Sequence, residues 1–175
     1  DAKSGVSGAG RGLSLKTHFN EVDESVSAYG LDGHRHMPEI QQELSLISNN
    51  EINVTFIPHL IPMNRGILAT IYAPISDSFK KNNNDLENSI NTIYKDYYKD
   101  EPFVNIQENP PSTKHTLGSN YCHIFPTVDY NKNNLVVISC IDNLVKGAAG
   151  QAVQNMNIMC GIPEGSGINQ LAMYP

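Results

Sequence analysis

An α+β fold, with a mixed and largely antiparallel sheet and helices packed on it, is what this sequence predicts. Three observations carry the expectation. Strand-like and helix-like stretches follow one another without regular βαβ alternation, which places the chain in the α+β class. Gly66 to Ile75 and Tyr121 to Tyr130 read as strands, and Leu135 to Ile141 is apolar at nearly every position, as in a strand covered on both faces. Two stretches, opened by Pro38 and by Asp85, carry apolar residues three and four apart, the spacing of one helix face.

In chain order, residues 4 to 12 hold Gly5, Gly8, Gly10 and Gly12 among small residues and read as a loop with bare backbone. From Gly12 to Asn20, Leu13, Leu15, Thr17 and Phe19 alternate with Ser14, Lys16 and His18, which predicts a half-buried strand. A polar stretch runs to Gly33. Pro38, at a first-turn position, opens a helix with Ile40, Leu44 and Ile47 on one face, and Asn49 and Asn50 end it. Strands are expected from Ile52 to Ile57 and from Gly66 to Ile75, joined by the Pro-containing segment 58–65. Asp85 caps a helix reaching about Tyr98, with Leu86, Ile90, Ile93 and Tyr97 as its buried stripe. Short strands near Phe103 to Ile106 and Tyr121 to Tyr130 flank the Pro110-Pro111 loop. After Leu135 to Ile141, Asp142 or Asn143 caps a helix to about Met159, stopped by Gly161 and Pro163. No internal repeat is visible.

The chain has 175 residues, enough for one domain or slightly more. At that size about 70% of the unfolded surface can be buried without staples. Its hydrophobic fraction is 39%, its charged fraction 17%, and Asn fills much of the difference. The net charge of −6, with no basic block, argues against nucleic acid or an anionic membrane as partner. No apolar window is long enough for a transmembrane span. Three scattered cysteines, Cys122, Cys140 and Cys160, favour a reducing compartment over a disulfide scaffold. Cys140 and Cys160 read as small buried hydrophobes, and Cys122 points away from its neighbour His123; none looks like a nucleophile. The chain opens without Met or a targeting segment, inside a Gly-rich motif, so a piece of a longer protein is expected.

Three segments hold residues suited to chemistry. The Gly-rich opening ends in Arg11, whose planar fork beside free amides suits phosphate or carboxylate; an ordinary loop is the alternative. Gly33-His34-Arg35-His36-Met37-Pro38 sets two histidines just before a helix start. Free amides there disfavour imidazolium, and a neutral imidazole suits general acid–base work. A surface metal pair or plain turn residues are the alternatives, and no Cys-x-x-Cys or further His/Cys cluster completes a zinc set. In Asp142-Asn143-Leu-Val-Lys146-Gly147-Ala148-Ala149-Gly150-Gln151-Ala152, small residues leave one helix side smooth. That suits close approach of a flat ligand or equally tight packing on a sheet.

These segments carry a family resemblance. Lys3-Ser-Gly-Val-Ser-Gly-Ala-Gly-Arg11, Gly33-His-Arg-His-Met-Pro-Glu-Ile40, Phe56-Ile-Pro-His-Leu-Ile-Pro-Met-Asn-Arg-Gly-Ile-Leu-Ala-Thr70 and Asp142-Asn-Leu-Val-Lys-Gly-Ala-Ala-Gly-Gln-Ala-Val-Gln-Asn155 stand in family order. The chain resembles the C-terminal half of the N-acetyl-gamma-glutamyl-phosphate reductases, the arginine-biosynthesis branch of the semialdehyde dehydrogenase superfamily. The resemblance implies a semialdehyde dehydrogenase C-terminal domain fold. It also implies NADPH-dependent reduction of N-acetyl-glutamyl phosphate to the semialdehyde through a thioester. Neither the Asn-Pro-Gly-Cys segment with the nucleophilic Cys nor the Rossmann domain is in this chain, so the chain alone is expected to be inactive.

The resemblance further implies roles and boundaries. His36 would be the acid–base residue, Arg11 and Ser7 substrate contacts, and Gln151 with Gly147 contacts to NADP. Residues 1–141 would form a substrate-binding and dimerisation domain, and 142–175 a C-terminal helix and tail packing back on the Rossmann domain. A homo-oligomer, dimer or tetramer, in the cytoplasm, or in an organelle of a eukaryote, is the expected setting, with no metal. The alternatives are a non-catalytic dimerisation and substrate-binding module, a relative of aspartate-semialdehyde dehydrogenase, and a metal-binding protein using His34 and His36.

Overall fold

The structure is a computed structural model and describes residues 1–174. Pro175, the last residue of the expected 142–175 segment, lies outside the described residues. Seven strands form one mixed sheet: β1 (Ala2–Ser4), β2 (Ser27–Ala28), β3 (Pro58–Leu60), β4 (Ile67–Pro74), β5 (Val104–Ile106), β6 (Cys122–Asp129) and β7 (Asn134–Ile141). Their order is β2-β3-β1-β4-β7-β6-β5. The β1–β3 and β5–β6 pairs are parallel; the other four are antiparallel. The predicted α+β class and largely antiparallel sheet are therefore observed.

The long strands at the sheet's centre are the ones whose apolar runs are legible. β4 and β7 pair over their whole length, from Ile67↔Ile141 to Pro74↔Asn134. β6 and β7 form a hairpin from Cys122↔Ile141 to Asp129↔Asn134. Its Asn-rich turn has a physical cause. The Asp129 carboxylate accepts the amide of Asn131 (3.0 Å), and Asn133 takes the left-handed φ of 52° that asparagine tolerates. Val137 and Cys140 are buried on opposite faces of β7, while most of the strand is only half-buried.

Among the described residues there are five α-helices: α1 (Phe19–Val22), α2 (Met37–Ser48), α3 (Asp77–Asn82), α4 (Leu86–Tyr97) and α5 (Gly150–Met159). α4 starts where Asp85 predicts: the Asp85 carboxylate accepts the Asn88 amide at 3.0 Å. Its covered stripe is Leu86, Ile90, Tyr94 and Tyr98, each four apart. Ile93 and Tyr97 stand one position off this line and are exposed, unlike the predicted stripe. In α2, Leu44 and Ile47 are likewise exposed, because Gln41, Ser45 and Ser48 turn toward the rest of the chain. α5 is anchored by polar groups. The buried Gln154 accepts bonds from Lys146 Nζ (2.7 Å) and Asn120 Nδ2 (2.8 Å), and donates to Glu164 Oε1 (2.5 Å).

Two expected strands are absent. Residues 12–20 form a 3-10 turn (Leu15–Thr17) and α1, with Leu13, Leu15 and Phe19 exposed. The strand just before them, β1, already has β3 and β4 on its two edges, and residues 12–20 pair with no strand of the sheet. Residues 52–57, expected as a strand, alternate in burial but have no ladder partner, and the strand begins only at Pro58.

At the end of β7, Asp142 is fully buried and its carboxylate joins three parts of the chain. Arg65, just before β4, binds it through Nη2 (2.8 Å) and Nε (3.3 Å). The Gly118 amide, from the loop before β6, donates at 2.7 Å. The amides of Leu144 (2.8 Å) and Val145 (3.1 Å) open the π-helical turn Val145–Ala149 that leads into α5. Burial pushes this carboxyl up; the Gly118 and Leu144 amides, the Arg65 fork and the Val145 amide outweigh it, so it titrates below its ordinary value.

Asp142→Ala leaves these donors unpaired and should cost about 3–5 kcal/mol, the range for removing one side of a buried ion pair. Because the folded pKa is depressed, the stabilisation is complete above the unfolded value near pH ~4 and fades as pH falls through the lower folded one. Urea melts of wild type and Asp142→Asn near neutrality and near pH ~3 should therefore converge in acid. A gap that is constant with pH refutes the assignment.

Candidate functional site

The Gly-rich loop follows β1 and is stitched to residues 63–66. The amides of Gly5, Val6 and Ser7 donate to the carbonyls of Gly66 (2.9 Å), Met63 (2.9 Å) and Asn64 (3.1 Å). A Cβ on Gly5 would lie 2.6 Å from the Asn64 carbonyl oxygen, so only glycine permits this approach. Ser7 closes the arrangement. Its hydroxyl donates to the Asn64 carbonyl (2.5 Å) and accepts from Asn143 Nδ2 (2.9 Å), while Asn143 Oδ1 accepts the Gly66 amide (2.7 Å). With its one proton committed, the Ser7 hydroxyl has none left to donate to an anion. Arg11 lies beyond the turn at Gly10, exposed, and forms no ion pair among the described residues.

His36 occupies the N-cap of α2, with Pro38 in the first turn and its own carbonyl accepting the Ile40 amide (3.0 Å). Its side chain is exposed. His34 is half-buried, with Nδ1 accepting the His36 amide at 3.1 Å. Burial lowers its pKa, and the neighbouring His36 and Arg35 lower it further. Among the described residues, no group of three or more His, Cys, Asp and Glu side chains could hold a metal.

Across the π-helical turn and the start of α5, Gly147, Ala148, Ala149 and Ala152 are exposed, whereas Gly150 is buried against Asn120 and Val145. A Cβ on Gly147 would turn toward Ile141 at 3.5 Å, so the backbone itself is the outward surface there. Gln151, half-exposed on this ridge, donates to Asn155 Oδ1 at 3.2 Å.

The structure thus brings Ser7 to Asn143, beside the turn that holds Gly147, and hangs Arg11 from the same loop. His36 sits at the start of a separate helix and has no hydrogen bond to that group among the described residues. Asn143 and Arg65 are the residues that sequence reasoning missed. Both stand inside the motifs that carry the resemblance, but Arg65 takes no role there and Asn143 only that of one of two helix caps. Cys122 contacts Ser139 Oγ (3.5 Å) and Cys140 contacts Thr116 Oγ1 (3.6 Å), with burial raising both thiols. Cys160 is exposed, contrary to the buried position expected for it, because α5 ends at Met159 and leaves it in the following turn.

The fold is a mixed sheet with a helix-start histidine on one segment and a small-residue helix turn on another. Solved structures agree on the fold: aspartate semialdehyde dehydrogenase II of Vibrio cholerae matches 91% of this chain and 54% of its own, with TM-score 0.61 and 15% identity. A probable aspartate-semialdehyde dehydrogenase of Pseudomonas aeruginosa matches 91% of this chain and 53% of its own at TM-score 0.61 and 14% identity. Residues 1–143 match the family described as semialdehyde dehydrogenase, dimerisation domain, and the chain belongs to that family. Within it, the chain is similar to N-acetyl-gamma-glutamyl-phosphate reductases. The one from Dehalococcoides mccartyi is 53% identical over all of this chain and 50% of its own length. Those of Desulforamulus reducens and Staphylococcus saprophyticus are each 51% identical over all of this chain, and 49% and 50% of their own. The chain spans about half the length of these relatives.

Ser7→Ala removes two hydrogen bonds of the loop and should lower stability by about 1–2 kcal/mol. Asn143→Ala should cost at least as much, since it also orphans the buried Gly66 amide. In a double-mutant cycle by urea melting the two losses should be clearly less than additive; strict additivity would show that the Ser7–Asn143 bond is not formed.

Proposed function

We propose that this chain is the substrate-binding and dimerisation half of an NADP-dependent reductase that converts N-acetyl-glutamyl phosphate to N-acetylglutamate semialdehyde. The observation that carries the reading is the 51–53% identity to reductases of that name along the entire chain. The weak likeness to aspartate-semialdehyde dehydrogenases supports the fold and not their substrate.

In this reading His36, exposed at a helix start, exchanges a proton with the reacting groups: the nucleophilic thiol, which the family resemblance puts outside this chain, and the oxyanion that collapses to the aldehyde. Arg11 supplies the fixed positive charge for the phosphate or carboxylate of the substrate. Ser7 acts within the substrate site by holding the loop that carries Arg11. The bare outward backbone at Gly147 and the amide of Gln151 fit the flat nicotinamide of the NADP cofactor, whose reduced form would supply the hydride. Residues 142–175 form the segment that packs back on the nucleotide domain, and the family match extends only two residues into it.

The family's description supports a homo-oligomer as the working form. Ile71 and Tyr72, exposed apolar residues on β4, are available to a second copy. No helix among the described residues is long and apolar enough to cross a membrane. The likeness to bacterial biosynthetic reductases supports a cytoplasmic setting.

In the complete reductase, His36→Asn should lower kcat by about 10²–10⁴-fold without loss of fold, the usual contribution of a general acid–base group. Steady-state assays with N-acetylglutamate semialdehyde, NADP and phosphate decide this; undiminished kcat removes His36 from the chemistry. The 175-residue chain by itself should show no turnover in the same assay. Turnover would show that the nucleophile lies within it.

A further inference from the structure

We infer that His34 is a positioning residue for His36: its ring, seated against Tyr29, Gly30 and Phe56, accepts the His36 backbone amide on Nδ1 and so fixes the imidazole of His36. The inference rests on the acid–base reading of His36.

Three observations carry it. The first is the bond itself, from the His36 amide to His34 Nδ1 at 3.1 Å. The His34 carbonyl also accepts the Met37 amide at 2.9 Å. One residue therefore holds two successive amides, and the backbone of His36 between them is set at φ −85° and ψ −11°. Side-chain direction follows backbone dihedrals, so this clamp limits where the His36 imidazole can point.

The second is the seat. The His34 ring lies 5.3 Å from the Phe56 ring at an interplanar angle of 77° and 5.6 Å from Tyr29 at 60°. It approaches His36 edge-on at 4.9 Å and 71°. Gly30, at φ 64°, forms the floor: a Cβ there would come within 3.0 Å of the His34 ring. A side chain at position 30 would thus meet both a strained backbone and the ring.

The third is continuity with the sheet. The Tyr29 amide donates to the Pro58 carbonyl at 3.0 Å, extending the β2–β3 ladder, and Phe56 stands two residues before β3. Rigidity passes from the sheet edge through Tyr29 and Phe56 to the His34 ring, and from Nδ1 to His36. Acceptance at Nδ1 also specifies the tautomer. His34 must be neutral with its proton on Nε2, because an imidazolium would set one N–H against another.

His34 is half-buried and His36 exposed, which divides the work between them. A ring locked among aromatic neighbours is poorly placed to meet a substrate. The exposed one is free to do so.

The test uses the complete reductase with three single variants. His34→Phe keeps a ring in the seat but removes the acceptor. His34→Asn restores an acceptor, since an asparagine side chain readily takes the amide two residues on. His36→Asn removes the proposed acid–base group. Expected are a kcat loss for His34→Phe of about 10–100-fold, as for a misplaced catalytic group, with KM for N-acetylglutamate semialdehyde within about twofold. His34→Asn should recover to within a few-fold of wild type while melting no higher than His34→Phe. The His36 amide should be protected from hydrogen exchange in wild type and His34→Asn but not in His34→Phe.

Wild-type kcat in His34→Phe alongside a dead His36→Asn overturns the positioning role and leaves His36 intact. An active His36→Asn overturns the reading of His36 itself. Equal impairment of His34→Asn and His34→Phe shows that the acceptor atom is not what position 34 supplies, and also refutes the inference. Should His34→Phe melt below the assay temperature, His34→Leu, which likewise lacks the acceptor, takes its place.

Discussion

The buried carboxylate of Asp142 is the constraint on which the rest of the structure depends. A charge removed from water must be matched, and here the match comes from separated parts of the chain: Arg65 before β4, the Gly118 amide before β6, and the Leu144 and Val145 amides at the helix start. Each could find water on its own; together they determine how the end of β7 meets its neighbours. The next residue extends the same junction, since Asn143 binds the Gly66 amide and the Ser7 hydroxyl. Two adjacent polar side chains therefore set both the departure of α5 and the shape of the Gly-rich loop. The candidate cofactor and substrate segments are fixed from one corner of the sheet.

That corner was partly legible in the sequence. Asp142 and Asn143 could be read as helix caps because a short polar side chain after an apolar strand has few other uses. The Arg65 partner could not, because its partner is 77 residues away and nothing local marks it. The same division holds for the elements. β4, β6 and β7 are eight residues long and show their apolar character plainly. β1, β2 and β3 have two or three residues each, too few for a period of two to appear. Residues 12–20 show the opposite failure, an alternation that pairs with no strand of the sheet. Pattern gives the conformation a segment prefers; only topology gives it a partner.

The site follows the same logic. His36 was identifiable because Pro38 fixes a helix start and the residues before it inherit a defined place. His36 was preferred to His34 for its place beside Pro38, but the seat that holds the His34 ring was not visible. It appears only once Tyr29 and Phe56, distant in sequence, are seen to close around one ring and not the other. Ser7 was found for its place in a glycine-rich motif, but the structure shows a hydroxyl whose proton is already given to Asn64.

The exposed apolar residues belong to the same account. Leu13 follows Arg11 by two residues, and Leu44 and Ile47 stand on the helix that His36 begins; all three are exposed. A contiguous patch of large apolar side chains seldom stays exposed unless another surface covers it. The central strands, by contrast, bury Ile124, Val128 and Val137 within the chain itself. The exposed apolar residues thus include some on the segments that bear Arg11 and His36. Covering Leu44 and Ile47 would dehydrate the face of α2 behind its N-cap, and charge–dipole effects at a helix start strengthen as water leaves. The same packing that completes the apolar surface would then increase the influence of the α2 amides on the proton chemistry proposed for His36.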